Sequence, residues 1–220
     1  MTAAARDVRF WNGASRKYAA NPVADVPGYE RTLERTRGHL KAGDVALEFG
    51  CGTGTTAVKL APSVSRYVAT DLAPAMLEIG RERAAEANAG NIVFEAGTPG
   101  DARFVDRLGE GAFDAVIAFN VLHLIVDRKP LLAGVRRMLK PGGRFISKTP
   151  CLSDMNLFMG TMVRVVVPVM QVLGRAPALS FFSARQIEGE IEAAGFRFVD
   201  RALLGTKAGD IRPFLVAERI

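Results

Sequence analysis

The stretch "VALEFGCGTGTT", residues 45–56, places Gly50, Gly52 and Gly54 at alternate positions directly behind an apolar run and an acid, Glu48. Glycine gives up the most backbone freedom on folding, so such a cluster weakens a chain unless bare backbone is required there. A tight turn that brings main chain against a ligand meets that requirement. Nucleotides, dinucleotides and other adenosine-bearing cofactors are all held by loops of this kind.

Outward from the loop, short β-rich runs alternate with helical patterns. "VALEF" (45–49) reads as a buried strand, and "TGTTAVKLA" as a helix with threonines available for its N-cap. "RYVATD" (66–71), "NIVFEAG" (91–97), "FDAVIAFN" (113–120) and "RFISKT" (144–149) are further strands. Pro74 suits the first turn of the helix after the second strand. "RKPLLAGVRRMLKPGG" puts Leu131, Leu132, Val135, Met138 and Leu139 on one helical face, with Pro141-Gly142-Gly143 as the stop. "SARQIEGEIEAAG" opens with a capping box, Ser183 to Gln186, and closes on Gly195. Two strand-like runs, "RFVDRALLG" and "RPFLVAER", end the chain. Strands alternating with helices predict an α/β, doubly wound, mostly parallel sheet, whose ligands bind beyond the carboxyl ends of the strands.

The loop departs from the dinucleotide fingerprint, which needs glycines at relative positions one, three and six. From Gly50, position six is Thr55, and the third glycine arrives early, at Gly54. Glu48 is a poor neighbour for a pyrophosphate and a good one for a cationic amine. No Gly-Lys-Ser/Thr follows, which excludes a Walker loop. Asp71 ends the second strand, where a carboxylate accepts hydrogen bonds from ribose hydroxyls, or caps the helix beginning near Pro74.

"VALEFGCGTG", "VATDLAPAML", "FDAVIAFNVLHLI" and "LKPGGRFISK" occur in that order over roughly residues 40–150. They resemble the successive motifs of class I S-adenosylmethionine-dependent methyltransferases, and the tail is similar to the family's closing helix and antiparallel strand pair. The resemblance implies a seven-stranded Rossmann-like sheet that binds S-adenosyl-L-methionine and releases S-adenosyl-L-homocysteine. It assigns Glu48, Gly50, Gly52 and Gly54 to the amino-acid end of that cofactor and Asp71 to its ribose; Cys51, inside the loop, is a further cofactor-binding candidate, with packing of a small residue as the default reading. Leu72 and Met76 would flank the adenine, and Asn120 would lie beside the methyl donor. Many members carry an acid after the third strand; here "EAGTPGDARF" puts Thr98 at that position, with Asp101 further along.

Residues 1–42 read as a helical lid of two short helices, "SRKYAAN" and "GYERTLERTRGHL", and residues 43–220 as the methyltransferase domain, with a substrate-side insertion at about 151–182, all one structural unit. Similar enzymes close the cofactor site with such a lid, which would bring Tyr18 to the methionine end; ordinary packing of Trp11, Tyr18 and Tyr29 is the competing expectation. His123, one of two histidines, is the candidate general base if the acceptor is a hydroxyl or an acidic carbon. Packing against the cofactor or starting a helix is the alternative role. Cys151, after the fifth strand, is a candidate for the substrate side. Phe158, Met159, Met162, Val163, Val166 and Met170, with Phe181 and Phe182, suggest a deformable apolar lining.

The remaining composition narrows the partners. The 220 residues suffice for one domain with a substantial core. Net charge is +6, and residues 1–41 hold eight basic against four acidic residues. Glu30 and Glu34 alternate with Arg31 and Arg35, as on a solvated helical face, so nucleic acid is disfavoured as a partner. "FNVL" also stands where amino-methylating nucleic-acid enzymes carry an Asn/Asp-Pro-Pro-Tyr-like motif. Two cysteines make no metal cluster or disulfide framework, and "MTAAARDVRFWNG" has no apolar signal core. Arg164 and Pro168 interrupt "LFMGTMVRVVVPVMQVLG" (157–174), which favours a buried or lid helix over a membrane span. The expectation is a cytoplasmic enzyme, with no metal, that methylates a small, largely apolar molecule at O, N or C. An RNA or protein methyltransferase, a non-catalytic S-adenosylmethionine-binding protein and a nicotinamide reductase are the competing readings.

Overall fold

The computed structural model describes residues 3–21, 23–172, 174–206 and 209–220; the side chains of residues 3, 4, 157, 158 and 172 are outside that description. Phe158, expected in an apolar lining, therefore lies outside the described side chains. Seven strands form one sheet in the order β3-β2-β1-β4-β5-β7-β6. They are β1 (Val45–Phe49), β2 (Arg66–Asp71), β3 (Ile92–Ala96), β4 (Phe113–Phe119), β5 (Leu139–Lys148), β6 (Phe196–Leu203) and β7 (Pro213–Arg219). β7 runs antiparallel between β5 and β6, and the other pairings are parallel. Strand order reverses at β1, whose carboxyl end meets the glycine loop.

Alternation along the central strands divides the core between two faces. Leu47 and Phe49 of β1, Val116 and Ala118 of β4, and Phe145 of β5 pack on one side. That side is covered by α5 (Ala102–Leu108), α6 (Lys129–Met138) and α8 (Ala184–Ala193), which contribute Phe104, Leu131, Val135 and Ile187. Ala46, Tyr67, Ala69, Ile117 and Ile146 face the other side, where α2 (Val26–Arg37), α3 (Thr55–Leu60) and α4 (Pro74–Glu86) bring Leu33, Leu60 and Leu77. Glu48 shares the parity of Ala46, so the pleat turns its carboxylate to the second face.

Several local expectations need correction. The amino-terminal section holds α1 (Ala3–Ala20), an 18-residue helix rather than a short one. Gly54, in the left-handed region with φ +73°, is the N-cap of α3, and no threonine side chain caps it. The helix before β5 stops at Met138, and Leu139 is already extended and paired with Phe113. Pro141 biases Lys140 away from helical backbone, so the stop acts upstream of the proline itself. The capping box of α8 is as expected: Ser183 Oγ accepts from Gln186 N–H, and Gln186 Oε1 accepts from Ser183 N–H. The basic residues of α2 are more than a solvated face, since Arg35 makes a two-pronged pair with Asp200 on β6 and Arg31 donates to Leu204 O.

Candidate active site

The glycine loop leaves β1 with φ +66° at Gly50, +53° at Gly52 and +73° at Gly54. Each glycine is needed for a different reason. A Cβ on Gly50 would stand 2.4 Å from Val121 Cγ2, and one on Gly54 would stand 3.0 Å from Gly80 Cα in α4. The first makes room for the Val121 side chain, and the second lets the α4 backbone pack against the loop. A Cβ on Gly52 would meet only the Tyr18 ring, at 3.7 Å. Gly52 is the glycine that leaves room toward the cavity.

Two acids flank this loop. Asp71 Oδ2 accepts the Gly52 N–H at 3.0 Å, and Oδ1 accepts the Ala73 N–H at 2.9 Å. Each oxygen keeps lone-pair capacity for another donor. Burial raises the Asp71 pKa, and the backbone donors oppose it. Glu48 is buried, and its Oε2 accepts the Tyr67 hydroxyl at 3.0 Å. Burial pushes its pKa up to about 8, opposed by the Tyr67 hydrogen bond and reinforced by Asp71. A buried acid facing a cavity is a receptor for a cationic group, because pairing removes the cost of ionising it.

The carboxyl ends of the strands open into a cavity of about 1250 Å³. A single-ligand pocket is usually ~300–1,000 Å³, so this volume suits two molecules side by side. Glu48, Gly50, Cys51, Gly52, Asp71, Leu72, Met76, Thr98, Asn120 and Tyr18 all line it, as does Asp101. Gly54 does not; its role is the packing on α4. Asp101 also caps α5 by accepting the Arg103 N–H at 2.9 Å. Asn120 adopts φ +54°, and its N–H reaches Lys148 O at 2.7 Å.

Helix α1 covers one side of this opening. Asn12 Oδ1 accepts the Ala75 N–H at 3.0 Å, filling the cap that Ala73 cannot provide for α4. Arg83 donates to Ala19 O at 2.9 Å, Thr53 O at 3.1 Å and Thr55 Oγ1 at 2.6 Å, tying the end of α1 to the glycine loop. Trp11 meets Tyr18 edge-to-face at 5.9 Å. Burial raises the Tyr18 pKa, with Asp71 and Glu48 adding to it.

Three sequence-based expectations place residues elsewhere than the structure does. His123 sits in a short 3-10 turn, Leu122–Leu124, off the cavity wall, with Nδ1 3.1 Å from Thr149 Oγ1. Burial lowers its pKa to about 4. Cys151 is fully buried among core side chains and does not reach the substrate side; burial pushes its thiol up to about 12. No described side chain of α7 (Leu157–Val172) lines the cavity: Met159, Met162 and Val166 are exposed, and Val163 and Met170 half-buried. Phe181 lies under Arg164, and Phe182 is drawn into the core beneath Arg128, whose guanidinium carbon lies 4.2 Å from the ring centroid. Arg128 also grips Glu190 with two 2.7 Å hydrogen bonds and Ser180 Oγ at 2.6 Å. That clamp draws Phe182 to α8 rather than to the cavity.

The apolar wall instead comes from Val8 and Trp11 of α1 and from Leu124, Ile125, Pro130 and Leu131. Lys148, Arg212, Asp25 and Thr32 form a polar end that sequence reasoning missed. A lysine in the apolar run "RFISKT" was the available signal. Among the described residues no cluster of three or more His, Cys, Asp or Glu side chains is arranged to hold a metal, and no helix is long and apolar enough to cross a membrane.

Comparison with known proteins finds methyltransferases among the similar chains. A family model described as a methyltransferase domain matches residues 47–145. A demethylmenaquinone methyltransferase of Clavibacter sepedonicus is 39% identical over 106 residues, which cover 48% of this chain and 40% of that protein. A ubiquinone biosynthesis O-methyltransferase of Methylobacterium nodulans is 28% identical over 164 residues, covering 70% and 60% respectively. The chain thus spans about half the length of these curated relatives. Among solved structures, the YcgJ protein from Bacillus subtilis superposes with a TM-score of 0.67 at 16% identity, over 86% of this chain and 98% of that one. At that identity the likeness is one of fold.

Proposed function

We propose that the chain, whose residues 47–145 match a methyltransferase domain, is a class I S-adenosylmethionine-dependent methyltransferase that transfers a methyl group to a small, largely apolar acceptor of the kind methylated in quinone biosynthesis. The observation that carries this reading is the pair Glu48 and Asp71 on either side of the glycine loop, at one end of a cavity roomy enough for a second molecule. The residues fit the cofactor. Glu48 is a buried acid that forms no ion pair among the described residues, each Asp71 oxygen keeps capacity for a further donor, and Gly52 puts no side chain toward the cavity.

When bound, S-adenosylmethionine supplies a methyl group already activated on a sulfonium. The chain's own residues then bind and orient. Glu48 pairs with the cationic amine, and Asp71 accepts from the ribose hydroxyls. Leu72 and Met76 flank the adenine, with Thr98 at its edge, while Cys51, Asn120 and Tyr18 border the methionine arm. Helix α1 excludes water from the donor side, which strengthens the electrostatics inside. Holding an acceptor atom in line supplies much of the acceleration that this chemistry needs. His123 is assigned to supporting the turn next to the cavity, because its Nδ1 lies against Thr149 Oγ1 and the residue stands off the cavity wall.

The relatives' names point to quinone precursors as the acceptor class. The apolar wall of Trp11, Ile125, Pro130 and Leu131 is in keeping with that. A screen with methyl-labelled S-adenosylmethionine against cell extracts fractionated by polarity tests the proposal. Label entering apolar small molecules is expected, and label entering only RNA or protein would reverse the acceptor assignment.

A further inference from the structure

The cavity has a charged end that cofactor binding leaves unused. Lys148 closes β5 and lies in register with Phe119 of β4, next to the Asn120 backbone it binds. It is 7% exposed and lines the cavity. Among the described residues its ammonium makes one hydrogen bond, to the Thr32 hydroxyl on α2 at 2.8 Å. Thr32 spends its own proton on Gly28 O at 2.7 Å, so it offers Lys148 a neutral lone pair and nothing more. Among the described residues Lys148 forms no ion pair.

The acids whose fields reach Lys148 are occupied. Asp25 accepts from Gly28 N–H at 3.1 Å, Thr206 N–H at 3.0 Å and Thr206 Oγ1 at 2.6 Å, and sits 3.6 Å from Arg212. Asp210 accepts from Gly205 N–H at 2.9 Å and from Arg212 Nε at 2.6 Å. Arg212 lines the same cavity and adds positive charge beside Lys148. A buried ammonium with one neutral partner and two unspent donors is costly, and an anion entering the cavity offsets that cost.

We propose that Lys148, with Arg212 beside it, binds a carboxylate on the methyl acceptor, so that the acceptor is an apolar acid rather than a neutral molecule. This rests on the methyltransferase reading for the word acceptor, but not for the binding site. The carboxylate end meets Lys148 over β4 and β5, while the cofactor end lies over β1 and β2. The two ligands thus meet near Asn120, at the carboxyl end of β4 between those positions.

Calorimetry with 1-naphthoate and its neutral isostere 1-naphthamide tests the assignment, with and without S-adenosylhomocysteine. The wild-type protein should bind naphthoate at least about tenfold more tightly, as expected for a desolvated charge pair. Lys148→Met should abolish the preference while leaving S-adenosylhomocysteine affinity and the thermal midpoint near wild type, and Arg212→Gln should reduce it in part. Equal affinity for the two probes, binding of neither, or a preference that survives Lys148→Met would overturn the proposal. The wild-type comparison needs no variant to fold. The separate S-adenosylhomocysteine titration distinguishes failure of the methyltransferase reading from failure of the carboxylate site.

Discussion

The Gly52 N–H donates to Asp71 Oδ2 at 3.0 Å, so the acid that ends β2 also holds the loop that follows β1. Asp71 has two tasks: fixing the loop and facing the cavity. Asp71→Ala should weaken S-adenosylhomocysteine binding by ~1–3 kcal/mol, the range for a lost charge-assisted hydrogen bond. It should also lower stability, because the Gly52 and Ala73 N–H groups lose their acceptor. Asp71→Asn keeps one acceptor oxygen and should lose affinity with a smaller stability cost. Calorimetry and thermal denaturation on both variants separate the two tasks.

Gly50 and Gly52 should respond differently to alanine. Gly50→Ala combines a left-handed φ with a Cβ 2.4 Å from Val121 Cγ2, and should destabilise the fold by ~2–4 kcal/mol. Val121→Ala in the same chain should restore part of that loss, leaving the backbone strain. Gly52→Ala has space around the new Cβ, with Tyr18 at 3.7 Å, and should cost less stability than Gly50→Ala while impairing cofactor binding more. Denaturant melts and ligand titrations on the three variants check the order.

Glu48 makes the ligand-free protein sensitive to pH. Its folded pKa of about 8 lies above the ordinary 4.5, so the folded chain holds that proton more tightly than the unfolded chain. Stability therefore falls as pH rises through this window. His123 acts in the opposite sense, since its pKa drops from 6.5 to about 4 and its share of stability grows as pH rises to 6.5. Between pH 6.5 and 8, Glu48 is the one of these two groups still titrating. The thermal midpoint should fall across that interval, and Glu48→Gln should flatten it. A wild-type curve that is flat there would count against a protonated Glu48.

Arg83 links α1 to the glycine loop through Ala19 O, Thr53 O and Thr55 Oγ1. If α1 closes the cofactor site, Arg83→Ala should speed S-adenosylhomocysteine release by about tenfold or more, with a smaller effect on the association rate. Stopped-flow kinetics give both rates. An unchanged release rate would leave α1 a packing element.

Much of this was legible in the sequence because it rests on local rules. The five parallel strands, the capping box at Ser183, the glycine loop and the acid at Asp71 each announce themselves through periodicity or a positional requirement. The acceptor side did not. The apolar run 157–174 reads as a pocket lining, yet Met159, Met162 and Val166 face solvent. Arg128 had drawn Phe182 into the core instead, and no periodicity encodes a long-range ion pair. Lys148 and Arg212 are 64 residues apart in the chain and meet only because β7 inserts beside β5. His123 looked like a base by its position after β4, but whether a ring faces a cavity or Thr149 is decided by tertiary packing.

Titration calorimetry of the chain with S-adenosylhomocysteine and, separately, with NAD tests most directly whether the glycine loop serves a methyl donor. Saturable one-to-one binding of S-adenosylhomocysteine, weakened by Asp71→Ala, with no heat from NAD, is the predicted result. Binding of NAD with no response to S-adenosylhomocysteine would contradict it.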